Sequence, residues 1–168
     1  MNKKDGFGYW FSGLVDGEGC FHARAHYRKQ DNAHMLVTYF SLRLRADDQP
    51  ILEYIKKQLG VGAIYLHSEK LSKHLQADYR ISHRRDLSGA LIPLLDNYPL
   101  KSKKSRDYKT WRKIVLDYKM ARRWHTRSGI RSLADKQWEE VTKLCNDLKE
   151  GRRFKRLTPK PQRRPGRG

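Results

Sequence analysis

Apolar residues first recur at helical spacing, with Phe7, Trp10, Phe11, Leu14 and Val15 predicting a helix from Phe7 to Asp16. From Cys20 the period drops to two. Phe21, Ala23, Ala25 and Tyr27 alternate with His22, Arg24, His26 and Arg28, which predicts a long strand with one basic face. The cluster Gln30-Asp31-Asn32 suits a hairpin turn. A second strand follows, with Leu36, Thr38, Phe40, Leu42 and Leu44 on one face and Val37, Tyr39, Ser41, Arg43 and Arg45 on the other. Asp48 can cap a helix running to Leu59, with Pro50 in its first turn and Gly60 just past its end. Ile51, Leu52, Ile55 and Leu59 form its buried stripe. Residues 61–68 and 75–82 read as a second hairpin, in which Ala77, Tyr79 and Ile81 alternate with Gln76, Asp78 and Arg80. Helical spacing returns at Leu87–Leu95, where Pro93 must kink or divide the segment, and again near 104–121 and 131–149. Trp111 and Trp138 fall on the apolar faces of those last two helices and read as core.

The order is α-β-β-α-β-β-α with two C-terminal helices, an α+β fold built on an antiparallel sheet. Helices on its apolar face would leave the other face open, and that face is rich in Arg and His where mixed Lys and Glu would be ordinary.

Composition sharpens this picture. The 168 residues are 38% hydrophobic and 33% charged, enough for a packed core and too apolar for disorder throughout. Lys and Arg number 37 against 18 Asp and Glu, a net charge of +19. Residues 152–168 hold eight of those bases, no acid, three prolines and two glycines. Residues 151–168 thus read as a flexible arm that can lie along phosphates, or as an inert solubilising tail. Without the eight bases, 29 still face 18 acids, so the single domain expected over 1–150 is basic in its own right. No apolar run approaches the roughly 18 residues of a membrane span, and the opening MNKKDGFGYW lacks the apolar stretch of a secretory signal. Cys20 and Cys145 lie far apart with no CxxC or Cys/His cluster, which argues against a disulfide scaffold or structural zinc. The expectation is an intracellular protein, in a prokaryotic cytoplasm or an organelle, whose partner is a polyanion.

Candidate chemistry sits in Phe11-Ser12-Gly13-Leu14-Val15-Asp16-Gly17-Glu18-Gly19. Gly13 and Gly17 share one helix face and allow another backbone to approach closely. A helix-interior glycine costs up to about 1 kcal/mol relative to alanine, so the pair asks for a packing reason. Asp16 and Glu18 fall at the helix C-terminus, where the dipole disfavours carboxylates. A bound cation removes that conflict, and a divalent metal is the natural one. The plainer alternative is a glycine-terminated helix with two solvated acids. The basic-faced strand follows directly, which brings the acids to the edge of the polyanion-binding face.

This nonapeptide resembles the LAGLIDADG signature of homing endonucleases, and four further features follow in family order. They are the long hairpin, a helix closing on Leu59-Gly60-Val61-Gly62, a second hairpin ending Asp78-Tyr79-Arg80-Ile81-Ser82, and Tyr98-Pro99-Leu100-Lys101-Ser102-Lys103-Lys104. The resemblance implies the αββαββα homing-endonuclease fold with a curved antiparallel sheet and helices on one face. One copy of the motif implies a homodimer whose motif helices meet through Phe11, Gly13, Leu14 and Gly17. It also implies Mg²⁺-dependent cleavage, with Mn²⁺ as a substitute. The substrate would be a long, partly palindromic double-stranded DNA target, cut with staggered ends to promote mobility of a host intron. Glu18, at the eighth motif position, is the implied metal ligand, together with Gly17. Asp16 would support the helix end, with metal contact secondary, and Lys103, then Lys101, would lie near the attacking water and scissile phosphate. A polar residue commonly ends the second strand in the family, whereas Ala46 stands here between Arg45 and Asp47.

The expected DNA-reading residues are those of the solvated strand faces: His22, Arg24, His26, Arg28, Tyr39, Ser41, Arg43, Arg45, Tyr65, His67, Gln76, Asp78 and Arg80. Lys104, Arg106, Lys109, Arg112 and Lys113 are expected phosphate contacts. Two alternatives use the same fold: a maturase acting on host intron RNA, and a non-catalytic DNA-binding regulator.

Overall fold

The computed structural model describes residues 3–31, 33–68, 75–118 and 135–151. Asn32 of the expected turn, residues 119–121 and 131–134 of two expected helices and the basic arm after Gly151 lie outside the described residues.

Helix α1 (Lys3–Glu18) runs straight into strand β1 (Gly19–Arg28). Gly19 is the joint, because a Cβ there would lie 2.6 Å from Val15 Cγ1 and 2.7 Å from the Val15 carbonyl oxygen. A 3₁₀ turn over Lys29–Asp31 leads to strand β2 (Ala33–Arg45). A second one over Ala46–Asp48 leads to helix α2 (Gln49–Leu59). Asp48 holds the N-cap position without making a side-chain cap bond, contrary to expectation. Gly60 closes α2 at φ +70°, the left-handed conformation that favours glycine. The second hairpin is strand β3 (Ala63–Ser68) with strand β4 (Leu75–Ile81).

The segment containing Pro93 stays helical throughout, with a change of helix type just before the proline. Helix α3 (Arg84–Asp86), a π turn over Leu87–Leu91 and helix α4 (Ile92–Asn97) follow one another without a break. The π turn has a local cause. Proline cannot donate a backbone bond, and its ring crowds the carbonyl four residues back. The widened turn, in which the Ile92 amide bonds the Leu87 carbonyl five residues back, absorbs that misfit. Helices α5 (Lys104–Asp117) and α6 (Asp135–Gly151) complete the described elements.

The described strands form an antiparallel sheet in the order β1-β2-β4-β3. Phe21, Phe40, Leu42, Ala77, Tyr79 and Ile81 project from one face into the core. There they meet Phe11 and Val15 of α1, Leu52 and Ile55 of α2, Leu87 and Leu91 of the π turn, and Trp111 of α5. The indole of Trp111 is fully buried against Phe21 and donates to the His22 carbonyl at 3.0 Å. A smaller cluster of Ile114, Tyr118, Val141 and Cys145 docks α6 over the far end of the hairpin, with Trp138 packed at its edge. Burial pushes the Cys145 thiol up to about 11, so it acts as a small apolar filler.

Phe11 corrects the sequence reading. It is fully buried in its own core, not presented to a second copy. Phe11 and Val15 are one helical turn apart and both face inward, while Tyr9, Gly13 and Gly17, also spaced by four, face outward. Leu14 is half-buried at the margin of the core.

Candidate active site and nucleic-acid interface

The site forms where the C-terminal tip of α1 meets the segment between α4 and α5. Tyr98 lies across Gly8, where a Cβ would come within 2.2 Å of the ring. Its hydroxyl donates to Asp5 Oδ1 at 2.8 Å, and the Ser12 hydroxyl donates to its carbonyl. These contacts lay the segment along α1. Asp16 then receives the Lys101 amide at 2.7 Å, the Ser102 amide at 3.2 Å and the Ser102 hydroxyl at 2.7 Å.

Burial by itself raises the Asp16 carboxyl, but those three bonds and the charge of Lys104 outweigh it and hold the group below its ordinary value. A carboxylate lowered by folding stabilises the fold fully above its unfolded value of about 4, and that contribution fades as pH falls through the lowered one. Asp16→Asn is therefore expected to be less stable than wild type near neutrality. The gap should close on acidification below about pH 4, read by thermal melting across that range.

Lys104 opens α5 and supplies a cation to the α1 tip. Its Nζ donates to the Gly17 carbonyl at 2.6 Å and to the Val15 carbonyl at 3.2 Å, satisfying carbonyls that a helix end leaves unpaired. Burial lowers its pKa, while Cys20, Glu18, Asp16 and Asp107 oppose the shift. Lys104, expected among the phosphate contacts, is thus anchored at the helix tip, and the ammonium that bonds the tip is its own. Lys101 contributes its backbone amide to Asp16, and both its side chain and that of Lys103 are exposed. The dipole conflict was visible in the sequence; which lysine answers it depends on where α5 begins. Glu18, the last residue of α1, is exposed beside this cation.

On the outward side of α1, Tyr9 is 61% and Trp10 43% exposed. Among the described residues, nothing lies within 4 Å of where a Cβ on Gly13 or Gly17 would sit. The outward side of the helix thus carries an open glycine trough between exposed aromatic residues at one end and its charged tip at the other.

Strand register gathers the other candidates. His22 pairs with Tyr39, Arg24 with Val37, and Cys20 with Ser41. Arg43 pairs with Asp78, which pairs with Tyr65; Arg45 pairs with Gln76, which pairs with His67; and Ser41 pairs with Arg80. Direct partners share a face, so all thirteen expected reading positions lie on the face away from the helices. Two of them are nonetheless out of solvent, Ser41 at 7% exposure and Asp78 at 0%. Arg45 is held by Asp47 through bonds of 3.0 and 2.8 Å beside Ala46. Among the expected phosphate contacts, Arg112 is paired with Asp96 at 2.9 Å and Lys113 with Glu140 at 3.0 Å.

Glu18 and the carbonyls beneath it are oxygen donors, the type that suits Mg²⁺. Those carbonyls already attract an ammonium group, evidence that the tip favours positive charge. Among the described residues no three His, Cys, Asp or Glu side chains gather into a closed cage. Mg²⁺ needs none, since it commonly keeps several waters and uses one or two carboxylates plus substrate phosphates. The residues present fit the ion as an open site.

Fold and site together define a class: an open basic sheet with a carboxylate-bearing helix tip at its edge, suited to acting on a phosphodiester backbone. The LAGLIDADG endonuclease family model matches residues 11–115, and the chain belongs to that family. The probable intron-encoded endonuclease Cox1-I1b of Schizosaccharomyces pombe is 33% identical over 114 residues, 68% of this chain and 28% of that protein. The probable intron-encoded endonuclease 3 of Neurospora crassa is 30% identical over 106 residues, 63% of this chain and 19% of its own. Among solved structures, the LAGLIDADG meganuclease I-AabMI bound to uncleaved DNA is 32% identical, with a TM-score of 0.53 over 64% of this chain and 35% of that one. The I-SmaMI LAGLIDADG homing endonuclease bound to cleaved DNA shares the fold at a TM-score of 0.67 and 21% identity, over 86% of this chain and 44% of that one. The chain thus spans less than half the length of each of these four relatives. Among the described residues no helix is long and apolar enough to cross a membrane.

Proposed function

We propose that the chain is a site-specific, Mg²⁺-dependent DNA endonuclease that acts as a homodimer and promotes mobility of a host intron. The observation that carries this reading is the placing of Glu18. It ends a helix whose outward side is a bare glycine trough, and it adjoins the sheet face that bears the arginines and histidines. Two copies packed through Gly13 and Gly17 would bring two such tips together, one for each DNA strand. The relatives bound to DNA in their solved structures support a DNA partner.

Glu18 and the Gly17 carbonyl are the residues that would hold the ion from each side. When bound, Mg²⁺ polarises the scissile phosphate and stabilises the leaving oxygen. Asp16 holds the 101–102 backbone in place and so fixes where α5 begins. Lys104, anchored at the tip, offers positive charge to a phosphate as negative charge develops on it. The sheet face binds the duplex, with arginines reading base edges and neighbouring bases contacting phosphates. Residues 1–150 would form this one catalytic domain.

Selection from a random duplex library in Mg²⁺ tests the reading. The expected result is one partly palindromic target, cut with staggered ends, protected by chelation of the metal and bound by two protomers. Tight binding of structured intron RNA without DNA cleavage would favour the maturase instead.

A further inference from the structure

The centre of the sheet face holds an arrangement that neither a solvated surface nor simple phosphate attraction requires. Asp78 is the one acid among the described strand positions of that face, and its side chain is only 1% exposed. Three basic groups converge on its Oδ2: Arg80 Nη2 at 2.6 Å, His67 Nε2 at 3.7 Å and Arg43 Nη2 at 4.0 Å. A buried carboxylate is costly without such partners, and it weakens the attraction of the face for phosphate.

Arg80 is fixed by more than its bond to Asp78. Its guanidinium carbon lies 4.7 Å from the Tyr39 ring centre and 5.6 Å from that of Tyr65. Tyr39 in turn stacks on His22 at 4.1 Å with 16° between planes. The row His22, Tyr39, Arg80, Tyr65 therefore crosses all four strands with the arginine at its middle. Arg80 remains 31% exposed, and the Asp78 bond engages only part of a group that carries five N–H donors. Among the described residues, Asp78 Oδ1 and Arg80 Nε have no hydrogen-bond partner, a concentration of unmet polarity that favours binding over stability.

We propose that Asp78 is a positioning residue that sets the plane of the Arg80 guanidinium, so that Arg80 reads a guanine in each half of the DNA target. This rests on the sheet being the DNA-facing surface. An arginine reads guanine through two parallel bonds to O6 and N7, which demand a fixed fork. A long side chain ordered before binding loses less freedom when it makes them. Asp78 itself touches no base; it selects which orientation Arg80 presents.

The test uses the full chain and a panel of duplexes in which each base pair of the selected target is replaced in turn. Wild type, Asp78→Asn and Arg80→Lys are compared for cleavage, with thermal melting as the check on folding. The expected result is that Asp78→Asn still folds and cuts the intact target, but more weakly than wild type. Its preference for guanine should fall about tenfold at one position in each half-site, with the other positions unmoved. Arg80→Lys, which keeps the charge and loses the fork, is expected to relax the same position. An even loss across all positions, an unchanged profile in Asp78→Asn, or Arg80→Lys acting at a different position would each overturn the proposal while leaving the endonuclease reading intact. If the wild-type protein binds no duplex, both fall together.

Discussion

Glu18→Gln is expected to lower DNA cleavage by about 10³-fold while target affinity stays within a few-fold of wild type. Glutamine keeps the shape and helical preference of glutamate and removes only the charge. Glu18 is exposed at the end of α1, so the substitution disturbs no packing. Taking a negative charge away from a helix C-terminus relieves an unfavourable dipole interaction worth up to about 1 kcal/mol, so melting should be unchanged or slightly higher. A catalytic loss without a stability loss separates a functional carboxylate from a structural one. Retained cleavage would remove Glu18 from the proposed chemistry, and loss of DNA binding would assign it to the interface.

The second large effect concerns Gly13. Its Cβ position meets nothing within 4 Å among the described residues, and its backbone is helical. Within one protomer, Gly13→Leu should therefore stabilise α1 by somewhat under 1 kcal/mol through helix propensity alone. If the trough receives the α1 helix of a second copy, the added side chain forbids the approach that glycine permits. The expected outcome is a protein that melts at the same temperature or higher, binds one protomer per duplex in sedimentation, and no longer makes double-strand breaks. Opposite signs for stability and activity make this a sharp test. A fully active Gly13→Leu variant would show that the helices meet elsewhere or not at all.

Much of the architecture was legible because alternation is a local property. The switch from a period of 3.6 to one of 2 at Cys20 marks the joint between α1 and β1, and the register confirms one shared face for the strand residues read as solvated. What stayed hidden depended on distant parts of the chain. Phe11 was assigned outward because motif order alone does not show which side of α1 the sheet covers. Asp78 alternates as a surface residue should, and is buried only because Arg43, His67 and Arg80 close over it. The identity of the lysine at the α1 tip followed from Asp16 holding residues 101–102, a contact across 85 positions of sequence. The π turn at Leu87–Leu91 answers a proline whose neighbours keep it helical, which a rule for isolated helices does not anticipate.

The Lys104 ammonium carries a consequence for assembly. Two negatively charged helix ends resist being brought side by side, and a diffusing ion must be captured afresh each time it is lost. A positive group tethered to the same chain screens each end from the moment the protomer folds. In the proposed dimer, the pair could therefore form and dock on a duplex before any divalent ion arrives, leaving the ion to govern the timing of the cut and not the joining of the halves.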